Sequence, residues 1–181
     1  AHEQFYQDDP AYDQINHEVE AAEPGAHGIL CLPYFQGRGT PDWNRNALGT
    51  FHGITLGSTR GDLSRAILEG IALELSECLA VMGHFDSIVL SGGLTGCPFF
   101  NQILADVTAL PVSRIAQSNQ TALGAWVNAT KALWPERSYD EILKNVKISS
   151  TSYPSEETHA LYTQIFTQKK ELYAHLYHFE Q

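Results

Sequence analysis

The sequence is poor in basic residues, methionine and cysteine, and it has no long apolar run. Eleven Lys and Arg stand against 21 Asp and Glu, a formal net charge of −10. A polyanion such as nucleic acid would meet repulsion from that mean field. A small anion remains admissible, because backbone amides and a divalent cation supply local positive charge. No stretch of 18 apolar residues occurs, so no membrane-spanning helix is expected, and the polar, acidic residues 1–10 do not read as a signal peptide. The three cysteines, Cys31, Cys78 and Cys97, are odd in number and too far apart for a zinc site. A reducing, cytoplasmic setting is the expectation. The eight histidines show no metal-ligating spacing, so no metal site is expected. Ser91 and Ser118 have no neighbouring histidine that would make a hydrolytic triad. Neither Gly-Lys-Ser/Thr nor Gly-x-Gly-x-x-Gly occurs, which excludes two common phosphate-binding loops.

What is present is an ordinary globular balance over 181 residues, 43 % apolar and 18 % charged, enough for one domain with a core. Tyr12, Ile15 and Val19 follow helical spacing, and Pro24-Gly25 ends that helix. Residues 29–32 read as a buried strand. Residues 36–49 read as a loop that Trp43 pins to the body. Thr59 and Asp62 form a capping box that opens a long helix, with Leu63, Ala66, Ile67, Ile71, Cys78, Leu79 and Met82 on its buried stripe and Glu69 and Glu74 at its edge. Residues 87–91 read as a central strand, too apolar for an edge. Pro98 suits the first turn of a helix carrying Ile103, Leu104 and Val107. Residues 111–115 read as a strand, and Ser118-Asn119 as the cap of a helix over 121–133 stopped by Pro135. Residues 144–151 read as irregular. Pro154 opens a last helix with Leu161, Ile165, Leu172 and Leu176 inward. Strands alternate with helices over residues 29–133, the pattern of an α/β domain.

Three segments carry candidate chemistry. In Ser87-Ile-Val-Leu-Ser-Gly-Gly-Leu-Thr-Gly-Cys-Pro-Phe-Phe-Asn-Gln102 a buried strand ends in Gly92-Gly93 and a helix starts soon after. Ligands sit beyond the carboxyl ends of strands in α/β sheets, bare glycine backbone permits close approach, and a helix start offers free N–H groups. Taken without other context, such a segment is more often only a tight turn. Ala122-Leu-Gly-Ala125 reads either as a helix packed closely on the sheet, the favoured reading, or as a flat slot for a planar base. In Gln36-Gly-Arg-Gly-Thr-Pro-Asp-Trp43, Arg38 could hold a phosphate or carboxylate and Asp42 could act as acid or base. A solvated loop with Asp42 capping a turn is the more ordinary reading.

The stretch Gly49-Thr-Phe-His-Gly-Ile54, seven residues, then Asp62-Leu-Ser-Arg-Ala-Ile-Leu-Glu69 resembles the second signature of the FGGY family of carbohydrate kinases. The loop Leu32-Pro-Tyr-Phe-Gln-Gly-Arg-Gly-Thr-Pro-Asp-Trp43, the pair Ser91-Gly-Gly-Leu-Thr with Gln102-Ile-Leu-Ala-Asp106, and Ala122-Leu-Gly-Ala125 resemble flanking segments in family order. The tail, from Tyr153-Pro-Ser-Glu-Glu157 to Tyr173, is similar to the pentulose kinase ending. The resemblance implies an α/β, actin-like ATPase (ribonuclease H-like) domain with a C-terminal helix. Residues 1–181 would be part of the C-terminal nucleotide-binding domain, with the sugar-binding domain outside this chain. The start at Ala1, with Met82 the sole methionine, fits that expectation. The implied reaction is phosphoryl transfer from ATP, with Mg2+, to a hydroxyl of a small sugar, of the pentulose or xylulose type. The implied nucleotide contacts are Gly92, Gly93, Leu94 and Cys97, where glycerol kinases place an asparagine at the position of Cys97. The implied catalytic base is an aspartate upstream of this chain, so none is expected here and the chain alone should be inactive. Dimers are common in the family, so a homodimer is an open expectation. The alternative is a non-catalytic relative that binds a nucleotide or a partner.

Overall fold

The computed structural model describes residues 10–116 and 120–177. Helix α1 (Pro10–Ala21) leads into a turn at Ala26–Gly28. Strand β1 (Leu30–Leu32) then pairs antiparallel with β2 (Thr50–His52), Leu30 opposite His52. Helix α2 (Arg60–Met82) follows. A second sheet has the order β3 (Ile88–Leu90), β4 (Val112–Ile115), β5 (Ile148–Ser152), with β3 parallel and β5 antiparallel to β4. Between and after these strands lie α3 (Pro98–Thr108), α4 (Gln120–Leu133), the short α5 (Tyr139–Leu143) and α6 (Glu156–Tyr177).

The capping box opens α2 as the sequence predicts. Asp62 N–H donates to Thr59 Oγ1 at 3.1 Å, and Thr59 N–H donates to Asp62 Oδ2 at 2.8 Å, a pairing that stabilises a helix start by about 1 kcal/mol. Pro98 occupies the first turn of α3, where its missing N–H removes no bond. The main core gathers Ala72 and Leu73 of α2, Phe100, Ile103, Leu104 and Val107 of α3, Val112 of β4, and Tyr162 and Ile165 of α6. Gly70 lets α2 approach β1: a Cβ there would meet the Cys31 carbonyl oxygen at 2.5 Å.

Several expectations are corrected. Residues 88–90 form the edge of the three-stranded sheet, with Val89 56 % exposed; Ile88 and Leu90 alone turn to the core, as the two-residue period of a strand dictates. Residues 148–152 are not irregular but form β5, a polar edge strand in which Ser113 and Thr151 hydroxyls pair at 2.9 Å. Strand β2 and helix α5 were not anticipated. On α2 the predicted stripe holds at Leu63, Ala66, Ile67 and Ile71, which face the core clusters, but Met82 is exposed, and the buried face also carries Asp62, Arg65 and Glu69. Trp43 does not pin its loop, being 72 % exposed. The proposed cap at Ser118 and Asn119 lies outside the described residues. Among the described residues no helix is long and apolar enough to cross a membrane, and all three cysteines are free thiols.

Candidate functional site

Strand β3 runs directly into Ser91 and a tight turn over Gly93–Gly96. Gly92 holds φ 106° and ψ 175°, a region open essentially to glycine alone. Gly93 has no such constraint. A Cβ built at Gly92, Gly93 or Gly96 meets nothing within 4 Å, in contrast to Gly70, where backbone fills the space. The turn therefore presents bare backbone outward, and no side chain of the described residues walls it off. Leu94 is 40 % exposed beside it. Cys97 differs from the other three expected contacts. Its thiol is buried within the main core, and its N–H is taken by the Leu94 carbonyl at 3.0 Å. Its side chain supports the turn from below.

Because β3 and β4 are parallel, Leu90 opposite Arg114, the segments that leave their carboxyl ends emerge on one edge of the sheet. The Gly92–Gly93 turn leaves β3 there, and the connection to α4 leaves β4 there. Ala122, Gly124 and Ala125 near the start of α4 are exposed, and a Cβ on Gly124 would also meet open space. The reading of these small residues as a close helix-on-sheet contact is thus not what the structure shows. The open Gly92–Gly93 turn sits at the sheet edge where α/β folds bind ligands.

Two buried polar residues of the same segment were given no role by the sequence reading. Thr95, 5 % exposed, donates its hydroxyl to the Gly92 carbonyl at 2.6 Å. Asn101, 6 % exposed, donates Nδ2–H to the Thr95 carbonyl at 3.1 Å. The available signal was an amide set between the buried Phe100 and Ile103 of α3.

The signature segment serves packing. Glu69, far from lying at an edge, is 2 % exposed. Its Oε1 accepts bonds from Gly25 N–H at 2.9 Å, Arg65 Nε at 2.8 Å and Tyr162 Oη at 2.8 Å, joining the turn before β1 to α2 and α6. Burial pushes its carboxyl up from the usual range against the pull of those donors. Arg65 also donates to the Ala22 carbonyl at 2.8 Å, closing the end of α1. Asp62, 2 % exposed, meets His27 Nδ1 at 2.6 Å. Burial alone would raise Asp62, but the bonds from His27 and Thr59 outweigh it and hold the carboxyl low. The same bond, with the Asp62 charge, raises His27. A raised folded-state value means that protonated His27 favours the fold. That contribution is complete below the ordinary histidine value of about 6.5 and is lost as pH rises through the folded-state value. The urea midpoint should therefore fall as pH rises above the ordinary histidine value, and in His27→Gln that part of the slope should vanish.

A second polar cluster fixes the 36–49 loop. Arg38 donates to Glu74 at 2.8 Å and lies 2.7 Å from Glu77 and 3.3 Å from Asp42. Lys169 of α6, 1 % exposed, donates to Glu74 at 2.5 Å and Glu77 at 2.8 Å. Tyr173 donates its hydroxyl to Asp42 at 2.5 Å, its ring lies 4.2 Å from the Arg38 guanidinium, and Leu48 N–H donates to Tyr177 Oη at 2.8 Å. Burial works to lower Arg38, but its bonds to Glu74 and Glu77 raise it. Burial works to raise Glu77, and Lys169 with Arg38 outweighs it. Arg38 and Asp42 are thus committed to each other and to α2 and α6, and a concavity beside Lys169 and Tyr173 includes no residue of the Gly92–Gly93 turn. Among the described residues no group of three or more His, Cys, Asp or Glu could hold a metal ion.

Residues 1–133 match the profile described as the FGGY family of carbohydrate kinases, C-terminal domain. A xylulose kinase from Staphylococcus epidermidis is 27 % identical over 175 residues, covering 94 % of this chain and 35 % of that protein. A glycerol kinase from Nitratidesulfovibrio vulgaris is 38 % identical over 130 residues, covering 69 % of this chain and 26 % of that protein. Among solved structures, the xylulose kinase from Rhodospirillum rubrum aligns with a TM-score of 0.81 at 31 % identity, over 96 % of this chain and 36 % of that one. The gluconate kinase from Lactobacillus acidophilus aligns with a TM-score of 0.83 at 24 % identity, over 93 % and 35 %, a likeness of fold. The chain spans about a third of the length of the relatives it matches.

Proposed function

The chain belongs to the FGGY family of carbohydrate kinases, with the actin-like ATPase fold of its members, and from that premise we propose that it is the nucleotide-binding part of a kinase that phosphorylates a sugar hydroxyl. The observation that carries this reading is the open turn at Gly92 and Gly93, bare on its outer side and set at the carboxyl edge of the parallel strands. The proposed ATP contacts are the backbone at Gly92, Gly93 and Leu94, with Cys97 beneath them. A flat, side-chain-free surface suits the nucleoside, which offers a planar base and few charges.

In the proposed reaction the sugar oxygen forms a bond to the γ-phosphorus and the bond from that phosphorus to the β,γ-bridging oxygen breaks. The hydroxyl proton passes to a carboxylate outside this chain. Mg2+ would travel with the ATP phosphates, where it offsets their charge; the described residues of this chain offer it no site, and no step here is assigned to it. The contribution of this chain is to hold the nucleotide and, on closure, to exclude water. A pentulose substrate is favoured because the match to the Staphylococcus epidermidis xylulose kinase runs over nearly the whole chain, whereas the match to the glycerol kinase covers about two thirds.

A coupled assay with a panel of ketopentoses, gluconate and glycerol tests this. The complete kinase should turn over a ketopentose, and the 181-residue chain alone should bind ATP without turnover. Binding of ATP by the complete protein with no turnover on any sugar would instead support a non-catalytic relative. Turnover by the chain alone would refute the division of labour.

A further inference from the structure

We propose that Asn101 is a positioning residue for the nucleotide, acting through Thr95 to hold the Gly92–Gly93 turn open; the inference rests on the nucleotide reading of that turn. The turn has no strand partner. Its shape depends on a short chain of bonds: Thr95 N–H and Oγ1 both donate to the Gly92 carbonyl, at 3.2 and 2.6 Å, and Asn101 Nδ2 donates to the Thr95 carbonyl at 3.1 Å. Asn101 stands on α3, which is anchored in the main core by Phe100, Ile103 and Leu104. The amide thus ties a loop that lacks its own support to a rigid element, and the geometry it imposes reaches Gly92 through one intervening residue.

The other half of the same amide decides between a structural and a positioning role. Asn101 Oδ1 is buried and has no hydrogen-bond partner among the described residues. An orphaned buried acceptor is a net cost to folding, which offsets part of what the Nδ2 bond to the Thr95 carbonyl contributes. Net stability alone is therefore a weak account of an amide at this position. What the amide supplies and leucine would not is the donor to the Thr95 carbonyl. Without it the 95–96 peptide is free to rotate, Thr95 loses its fixed line to the Gly92 carbonyl, and the bare face that meets the nucleotide is no longer preset.

The test is Asn101→Leu in the complete kinase. The thermal midpoint should change little, because removal of the orphaned Oδ1 offsets the donor lost by the Thr95 carbonyl. The KM for ATP should rise about five- to tenfold, the worth of one well-placed hydrogen bond, while the KM for the sugar stays within about twofold. Thr95→Val should shift the KM for ATP in the same direction, and Thr95→Ser, which keeps the hydroxyl, should behave as wild type. If Asn101→Leu fails to fold, the Thr95 pair carries the test alone, and equal KM values for ATP in Thr95→Val and Thr95→Ser would overturn the proposal. A fall in midpoint with both KM values raised would reduce Asn101 to a structural role and overturn it. An unchanged KM for ATP in Asn101→Leu, with Gly93→Val raising it, would overturn the positioning role and leave the nucleotide site standing. No effect from either substitution would overturn both.

Discussion

Replacing Lys169 by methionine should lower the stability of the domain by about 3–5 kcal/mol. The ammonium is almost wholly buried and sits between Glu74 and Glu77, at 2.5 and 2.8 Å. Methionine keeps the stem and removes the charge, so packing is nearly unchanged and the loss reads the electrostatics. The cluster holds two cations, Arg38 and Lys169, against Glu74, Glu77 and Asp42. Without Lys169 the single guanidinium of Arg38 must satisfy three carboxylates. The carboxylates keep 16–18 % of their side-chain surface at Glu77 and Glu74, so some water reaches them and the lower end of the range is expected. Because Arg38 and Asp42 belong to the loop and Lys169 to α6, the 36–49 segment should gain amide exchange in the same variant. Urea denaturation at pH 7 checks the first effect. A loss below about 1 kcal/mol, the scale of a solvent-exposed ion pair, would show that the cluster is effectively solvated.

The elements with strong local signals were legible in the sequence. The capping box at Thr59 and Asp62, Pro98 at a helix start, and the spacing of Ile103, Leu104 and Val107 all specify local structure that tertiary contacts then reinforce. The readings that failed depend on partners distant in sequence. Residues 88–90 are apolar enough for a central strand, yet their place in a sheet is set by which strands pair with them. Residues 148–152 carry no apolar alternation, and their strand exists because β4 offers a ladder. Trp43 was expected to anchor its loop because large aromatics usually bury, but the loop is held by charge, through Arg38, and by the hydroxyls of Tyr173 and Tyr177 more than 120 residues later. Charged residues on an amphipathic helix are ordinarily solvated; Arg65 is the i, i+4 neighbour of Glu69, but nothing local foretold that Gly25 and Tyr162 would converge on it.

At the candidate site the turn over Gly92 and Gly93 was legible as a turn, because two glycines end an apolar strand there; its nucleotide contact is the proposal. Thr95 and Asn101 were not legible, since their roles depend on a turn geometry that only the folded backbone defines. Cys97 was read from its place in the motif, and the direction of its thiol could not be read from spacing.

The substitution Gly93→Val tests the central claim most directly. Gly93 lies outside the left-handed region and a Cβ there meets nothing within 4 Å, so the folded chain should accept valine with a stability change within about 1 kcal/mol. The added methyl groups stand on the face that the nucleotide would touch. Steady-state kinetics of the complete kinase should show the KM for ATP raised about tenfold or more, equivalent to roughly 1.4 kcal/mol of lost binding, with the KM for the sugar within about twofold. Equal changes in both constants, or none in either, with the fold intact, would contradict the assignment of this turn to the nucleotide.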